Sequence, residues 1–201
     1  MITLLIDTSS EYCLLALIKD DATLIHTFYL HHNRLSQRLV PDIIALLHSA
    51  NLSIETIDQI AVGVGPGSYT GTRVGVAVAK TLAFGRHLPL KGFCSLLAFL
   101  PDKEGSFACV MPAKSGAYFL LKGHQSSHSI LVQHSGLHTR ENLSQELHTV
   151  DFVSVNQPET LEGFASSQTI VPFNHCPHNL YKLLHTEPLH QAELIYLHSP
   201  S

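Results

Sequence analysis

The chain has 201 residues, 45% of them hydrophobic and 14% charged, with 12 Lys+Arg against 16 Asp+Glu and a formal net charge of −4. That supports one large domain or two small lobes with real cores, and the sparse, scattered basic residues exclude a protein that holds nucleic acid mainly by neutralising phosphates. No apolar run approaches the roughly 20 residues a membrane-spanning helix needs. The four cysteines, Cys13, Cys94, Cys109 and Cys176, form no C-x-x-C pair and read as reduced core residues. The start of the chain runs directly into a strand without a charged leader. Together these features predict a soluble cytoplasmic protein.

In chain order, Ile2–Ile6 is a short apolar strand ending in the polar turn Asp7-Thr8-Ser9-Ser10. Cys13–Ile18 and Thr23–Leu30 are strand-like runs joined as a hairpin by Lys19-Asp20-Asp21-Ala22. From Leu35 to Ala50 the apolar spacing is helical, with Leu39, Ile43, Leu46 and Leu47 on one side; Pro41 predicts a kink or a late start. Ile57–Val64 reads as a buried strand, Tyr69–Gly85 as a helix stopped by Gly85 and Pro89, and Leu90–Phe93 as a strand. This β-β-β-α-β-α-β order matches the ribonuclease-H-like half shared by the actin, Hsp70 and sugar-kinase superfamily. Asp7-Thr8-Ser9 falls at that superfamily's first phosphate loop, with Ser9 where a glycine is expected.

Residues 1–100 are therefore read as a first lobe. From Pro101-Asp102-Lys103-Glu104-Gly105 the character changes, and residues 101–201 are read as a smaller, divergent α/β lobe. Strands are expected at Phe107–Met111, Ala117–Lys122, Phe152–Val155 and Thr169–Phe173, and helices at Glu141–Leu147 and Tyr181–His185. A Ser/His/Gly-rich stretch follows to about Gly136, and its Gly and Ser residues argue against continuous helix there. The fold class is thus a two-lobed actin/Hsp70-like α/β fold with an abbreviated second lobe.

The segment Ile60-Ala61-Val62-Gly63-Val64-Gly65-Pro66-Gly67-Ser68-Tyr69-Thr70-Gly71-Thr72-Arg73-Val74-Gly75 joins a strand, a glycine turn and a helix start, which is how anion cradles are often built. Known templates fail. No lysine follows until Lys80, as a P-loop would require. Ser68 stands where the third Rossmann glycine would be, and Ser68 lacks the flanking glycines of a nucleophile elbow. Asp7, Thr8, Ser9, Gly65 and Gly67 stay as candidate cofactor contacts. Gly71, Gly75, Ala79 and Ala83 recur every fourth residue and form a small-residue stripe, beside Val74, Val78 and Leu82. The stripe packs on the chain's own sheet, on a partner subunit, or on both. The 15 histidines include His124/His128 and His134/His138 at i,i+4 spacing, but no H-E-x-x-H occurs, and Cys176 between His175 and His178 is flanked by Pro177. No metal site is expected.

Ile2-Thr3-Leu4-Leu5-Ile6-Asp7-Thr8-Ser9, then Gln37-Arg38-Leu39-Val40-Pro41, then Gly65-Pro66-Gly67-Ser68-Tyr69-Thr70-Gly71-Thr72-Arg73-Val74-Gly75 resemble the TsaB (YeaZ) family. These bacterial proteins help install threonylcarbamoyl on adenosine beside the tRNA anticodon. The second lobe departs from the pattern. Pro112 stands before Ala113-Lys114 where an acidic residue is usual, and Leu35 replaces a histidine. In Ile195-Tyr196-Leu197-His198, His198 replaces an arginine. The catalytic paralogue holds metal through two histidines at i,i+4. In Pro89-Leu90-Lys91-Gly92-Phe93-Cys94-Ser95-Leu96-Leu97-Ala98-Phe99, Ser95 and Phe99 occupy those positions, and neither serves as a metal ligand here.

The resemblance implies a non-catalytic scaffold that pairs through first-lobe helices with the catalytic TsaD-type paralogue. A small TsaE-type ATPase belongs to the same complex, ATP and a metal ion lie on the partner subunits, and tRNA is engaged indirectly. Homodimerisation of the isolated chain uses the same kind of helix face. The expected interface comprises Leu39, Ile43, Leu46 and Leu47 with Tyr69, Gly71, Arg73, Gly75, Val76 and Lys80. The alternative is an ATP-dependent phosphotransferase or hydrolase of the actin-like superfamily, with Asp7 toward magnesium-bound water and the Gly65–Gly67 turn toward phosphates. A peptidase reading finds no Ser/His/Asp set with triad spacing.

Overall fold

The computed structural model describes residues 1–10, 12–19, 24–31, 34–100, 102–113, 116–155, 161, 169–172, 179 and 184. It divides into two compact units, one built on residues 1–95 and the other beginning at Leu96.

In the first unit the order is β1 (Ile2–Asp7), β2 (Tyr12–Lys19), β3 (Leu24–His31), α1 (Leu35–Ser49), β4 (Gln59–Gly63), α2 (Tyr69–Arg86) and β5 (Leu90–Phe93). The sheet order is β3-β2-β1-β4-β5. β1 and β2 pair antiparallel, as do β2 and β3; β1–β4 and β4–β5 are parallel. The centre of the sheet is a near-continuous apolar run because both of its faces are covered: Leu4, Leu5 and Ile6 are all fully buried. Leu4, Ile6, Leu15, Leu17, Ile60 and Val62 meet Leu39, Ile43, Leu46 and Leu47 of α1 and Val76, Ala79 and Ala83 of α2 in one core cluster.

α1 runs unbroken through Pro41, so neither a kink nor a late start is needed. Pro41 lies on the exposed side, where the carbonyl that loses its intrahelical donor is open to water. α2 is capped by Ser68, whose Oγ accepts from the Gly71 N–H at 3.2 Å, and ends at His87 in the left-handed region (φ 53°). The strand expected over Ile57–Val64 is shorter, because Ile57 and Asp58 belong to the approach from a single 3-10 turn at Ile54–Thr56.

The second unit contains β6 (Gly105–Pro112), β7 (Tyr118–Gln125), β8 (Ile130–His138), α3 (Arg140–Leu147), β9 (Phe152–Val155) and β10 (Thr169–Pro172). Its sheet order is β10-β9-β6-β7-β8, with β6–β7 and β7–β8 antiparallel and β6–β9 and β9–β10 parallel. Position for position this repeats the first sheet: β6 takes the place of β1, β7 of β2, β8 of β3, β9 of β4 and β10 of β5. Both units therefore have the ribonuclease-H-like arrangement. Ala108, Val110, Leu120, Val153 and Val155 pack against Leu143 and Leu147 of α3.

β8 falls in the Ser/His/Gly-rich stretch, where the sequence alone marks no strand. His134 and His138 lie in that strand, where four residues span about 13 Å rather than one helical turn. His124 ends up in β7, and His128 lies in the turn beyond it, its Nδ1 2.7 Å from Ser127 Oγ. Tyr181–His185, the group His175, Cys176 and His178, Lys114, and Ile195–His198 lie outside the described residues, Leu184 apart.

Candidate functional site

Strand alternation sends neighbouring side chains of the β1 end to opposite faces of the sheet. Thr8 points to α2: its Oγ1 donates to the Gly71 carbonyl at 2.7 Å. A methyl on Gly71 would strike the Thr8 carbonyl, and one on Gly75 would strike the Thr8 hydroxyl. The small-residue stripe is thus the groove in which α2 lies down on β1. This corrects the assignment of Gly71 and Gly75 to a partner interface, since both are buried against Thr8. Val76 is only 5% exposed and belongs to the same buried side.

Asp7 points the other way and is 1% exposed. Its Oδ1 accepts from the Ser9 N–H at 2.8 Å and from Ser95 Oγ at 3.3 Å. Ser95 Oγ also accepts from the Gly65 N–H at 3.1 Å, and the Ser95 N–H donates to the Gly65 carbonyl at 2.9 Å. Gly63 leaves room for this carboxyl, because a methyl there would fall 2.5 Å from Asp7 Cγ. Burial pushes the carboxyl up from 3.8 to about 6, and the hydrogen bonds from Ser9 and Ser95 only partly offset it. Asp7 Oδ2 and Ser9 Oγ, both buried, have no hydrogen-bond partner.

The five candidate cofactor contacts therefore do come together, but they satisfy one another. The Ser68 N–H donates to the Ser9 carbonyl at 2.5 Å, and Gly67 is required because a side chain there would collide with that same carbonyl. The N–H groups of Ser9, Gly65, Ser68 and Gly71 all point at protein acceptors. A phosphate cradle needs such groups unspent. Asp7 is a single carboxylate, and among the described residues no group of three His, Cys, Asp or Glu side chains could hold a metal ion. Those four N–H groups are therefore not free to cradle a phosphate.

Beside the loop, a cleft of about 450 Å³ opens between the N-terminal ends of α1 and α2, lined among others by Thr8, Ser10, Arg34, Ser36, Ser68 and Thr70. Cys13 lies at its inner wall, 2% exposed. Burial, with Asp7 and Asp42 nearby, pushes that thiol up to about 12, so it stays a protonated and unreactive core residue.

The remaining interface candidates divide cleanly. Leu39, Ile43, Leu46 and Leu47 are between 0% and 4% exposed and face the first unit's own core. Their place in a partner interface is corrected: an apolar helix face is consumed by the nearest sheet first. The apolar surface of α1 lies one residue on, at Val40 (45% exposed) and Ile44 (48%). On α2, Tyr69 (57% exposed) and Phe84 (83%) stand out with Arg73, Ala77 and Lys80. The Arg73 guanidinium lies 3.7 Å from the Tyr69 ring centroid. The two helices pack against each other. The signal for this surface was present in the sequence, because Leu39, Val40, Ile43, Ile44, Leu46 and Leu47 make an arc wider than one buried stripe needs.

Residues 30–118 match the family model "TsaD: tRNA N6-adenosine threonylcarbamoyltransferase". Over 94 residues the chain is 38% identical to the tRNA threonylcarbamoyladenosine biosynthesis protein TsaB of Escherichia coli, a stretch covering 47% of this chain and 40% of the relative. With the protein of the same name from Haemophilus influenzae the identity is 39% over 123 residues, covering 58% of this chain and 51% of that one. Its first lobe is thus similar in sequence to TsaB proteins. The whole fold is similar to YeaZ from Pseudomonas aeruginosa, with a TM-score of 0.80 and 21% identity over 98% of this chain and 99% of that one. The chain spans about half the length of the curated TsaB relatives it matches. Among the described residues no helix is long and apolar enough to cross a membrane.

Proposed function

We propose that this chain is a non-catalytic subunit in threonylcarbamoyladenosine formation on tRNA, and that it pairs with a TsaD-type transferase paralogue through the outer faces of α1 and α2. The observation that carries the reading is the exposed apolar set Val40, Ile44, Tyr69 and Phe84 on two adjacent helices whose buried faces are already filled. Aromatic and Arg anchors such as Tyr69 with Arg73 are typical of interface centres. The β1 loop supports a non-catalytic role: its Ser9, Gly65, Ser68 and Gly71 N–H groups are engaged within the protein and its carboxyl is buried. ATP, metal and a TsaE-type ATPase then belong to the partner side of the assembly, and tRNA is met there too, in keeping with the net charge of −4.

Co-purification with the TsaD-type paralogue tests this. Ile44→Asp combined with Tyr69→Ala is expected to abolish capture while the circular dichroism spectrum is kept. Undiminished capture by that variant rules out this face. A superfamily phosphotransferase or hydrolase reading predicts ATP turnover by the purified chain that disappears in Asp7→Ala; no turnover is expected.

A further inference from the structure

Along α2, Tyr69, Arg73, Ala77, Lys80 and Phe84 follow one another at spacings of four, four, three and four residues, so they form one line down the helix. All five are exposed. Two cations therefore stand between two aromatic anchors, with the small Ala77 between the cations. The Arg73 guanidinium lies over the Tyr69 ring, which ties the charge to the anchor without removing it.

The exposed charge on this pair of helices has one sign. Arg34, Arg38, Arg73, Lys80 and Arg86 stand on α1 and α2 or at the α1 cap, all of them exposed, whereas the two helices carry a single carboxylate, Asp42. Asp42 is buried and pairs with Arg38 at 3.0 Å. Glu55, in the turn after α1, has its carboxyl lowered first by the Ser53 hydroxyl and also interacts with Arg86. The positive sign is local, because the chain as a whole carries −4.

That sign discriminates between occupants. A second copy brings the same face, since two-fold pairing is self-complementary. An axis through Ala77 would set Arg73 of one copy opposite Lys80 of the other. Like charges closed into one interface are unfavourable, and cations buried there without a counter-charge are costly to desolvate. A partner with Asp or Glu set among apolar side chains matches the anchors and the cations together.

We propose, resting on the pairing with a TsaD-type paralogue given above, that the partner surface seated on α2 is acidic, with carboxylates opposite Arg73 and Lys80, and that this charge match selects the paralogue over a second copy of this chain.

Arg73→Glu combined with Lys80→Glu reverses the sign of the line and leaves Val40, Ile44, Tyr69 and Phe84 in place. Calorimetric titration against the paralogue at about 0.05 M and about 0.5 M salt separates charge from apolar contact. The parent should lose affinity at least about tenfold between the two salts, and at low salt the double variant should bind at least about 30-fold more weakly than the parent. Without the paralogue, sedimentation velocity should find the double variant pairing with the parent at least about tenfold more tightly than the parent pairs with itself. If the double variant does not fold, Lys80→Glu alone should show the same directions. Binding that Ile44→Asp with Tyr69→Ala abolishes, but that ignores both salt and charge reversal, overturns the charge match and leaves the face assignment standing. No binding by the parent overturns both. Parent self-association as tight as its pairing with the charge-reversed variant overturns the selection against a second copy. Salt-sensitive binding of unmodified tRNA by the parent alone, lost in the double variant, reassigns the line to nucleic acid and overturns the proposal.

Discussion

The Thr8 hydroxyl occupies the space that a side chain on Gly75 would need, and the same oxygen donates to the Gly71 carbonyl one helical turn earlier. One residue just past the end of β1 thereby sets both the distance and the registration of α2 over the sheet. Gly75→Leu should consequently destabilise the first unit rather than leave a folded protein with a blocked interface. Even Gly75→Ala forces Thr8 aside, at a cost of about 1–3 kcal/mol. Urea denaturation measures this, and an Ala variant as stable as the parent would show that α2 does not rest on Thr8.

The outer faces of the helices should behave in the opposite way. Val40→Asp and Ile44→Asp alter residues that are nearly half exposed, so each should change stability by no more than about 0.5 kcal/mol. Leu46→Ala, fully buried, should lower it by about 2–5 kcal/mol. Thermal unfolding of the three variants side by side separates the faces.

Asp7 predicts an unusual pH profile. Its carboxyl is raised from 3.8 unfolded to about 6 folded, so the folded state holds a proton that the unfolded state gives up. The contribution is fully present below pH 4 and is lost as pH rises through 6, amounting to about 3 kcal/mol at most. Isothermal urea titrations between pH 4 and 7.5 should show this group's contribution falling, and Asp7→Asn should remove that component alone. A parent and variant with parallel profiles would place the carboxyl in water.

In the second unit, Gln125 Nε2 donates to Asn179 Oδ1 at 3.0 Å and Asn179 Nδ2 donates to the Leu100 carbonyl at 2.7 Å, all buried. Asn179→Leu removes both bonds and should cost about 1–3 kcal/mol. Chemical denaturation checks it. A neutral result would mean that water reaches both.

How far the fold could be read in advance follows from which signals are local. Leu90–Phe93 and Phe152–Val155 coincide with β5 and β9 because short apolar runs bounded by turn residues have few alternatives. β8 was hidden: Gln133, His134, Ser135 and Gly136 carry no apolar alternation, and the strand exists because β7 supplies its hydrogen bonds. The glycine stripe announced a close approach but not to what, since Thr8 lies 63 residues from Gly71 in sequence. Helix phase failed similarly. Leu39/Ile43 and Val40/Ile44 have equal spacing, and only the position of the sheet decides which pair is buried. At the β1 end the residue set Asp7, Thr8, Ser9, Gly65 and Gly67 was legible, but that its N–H groups are spent on one another, with Ser95 as the link, was not.

The central claim concerns the α1–α2 outer face, and the affinity of the purified chain for the TsaD-type paralogue tests it most directly. Calorimetric titration of the parent and of Ile44→Asp, both verified as folded, should show the variant weakened by at least about 30-fold, the equivalent of roughly 2 kcal/mol at an interface anchor. Equal affinities for the two proteins would contradict the assignment of this face to the partner.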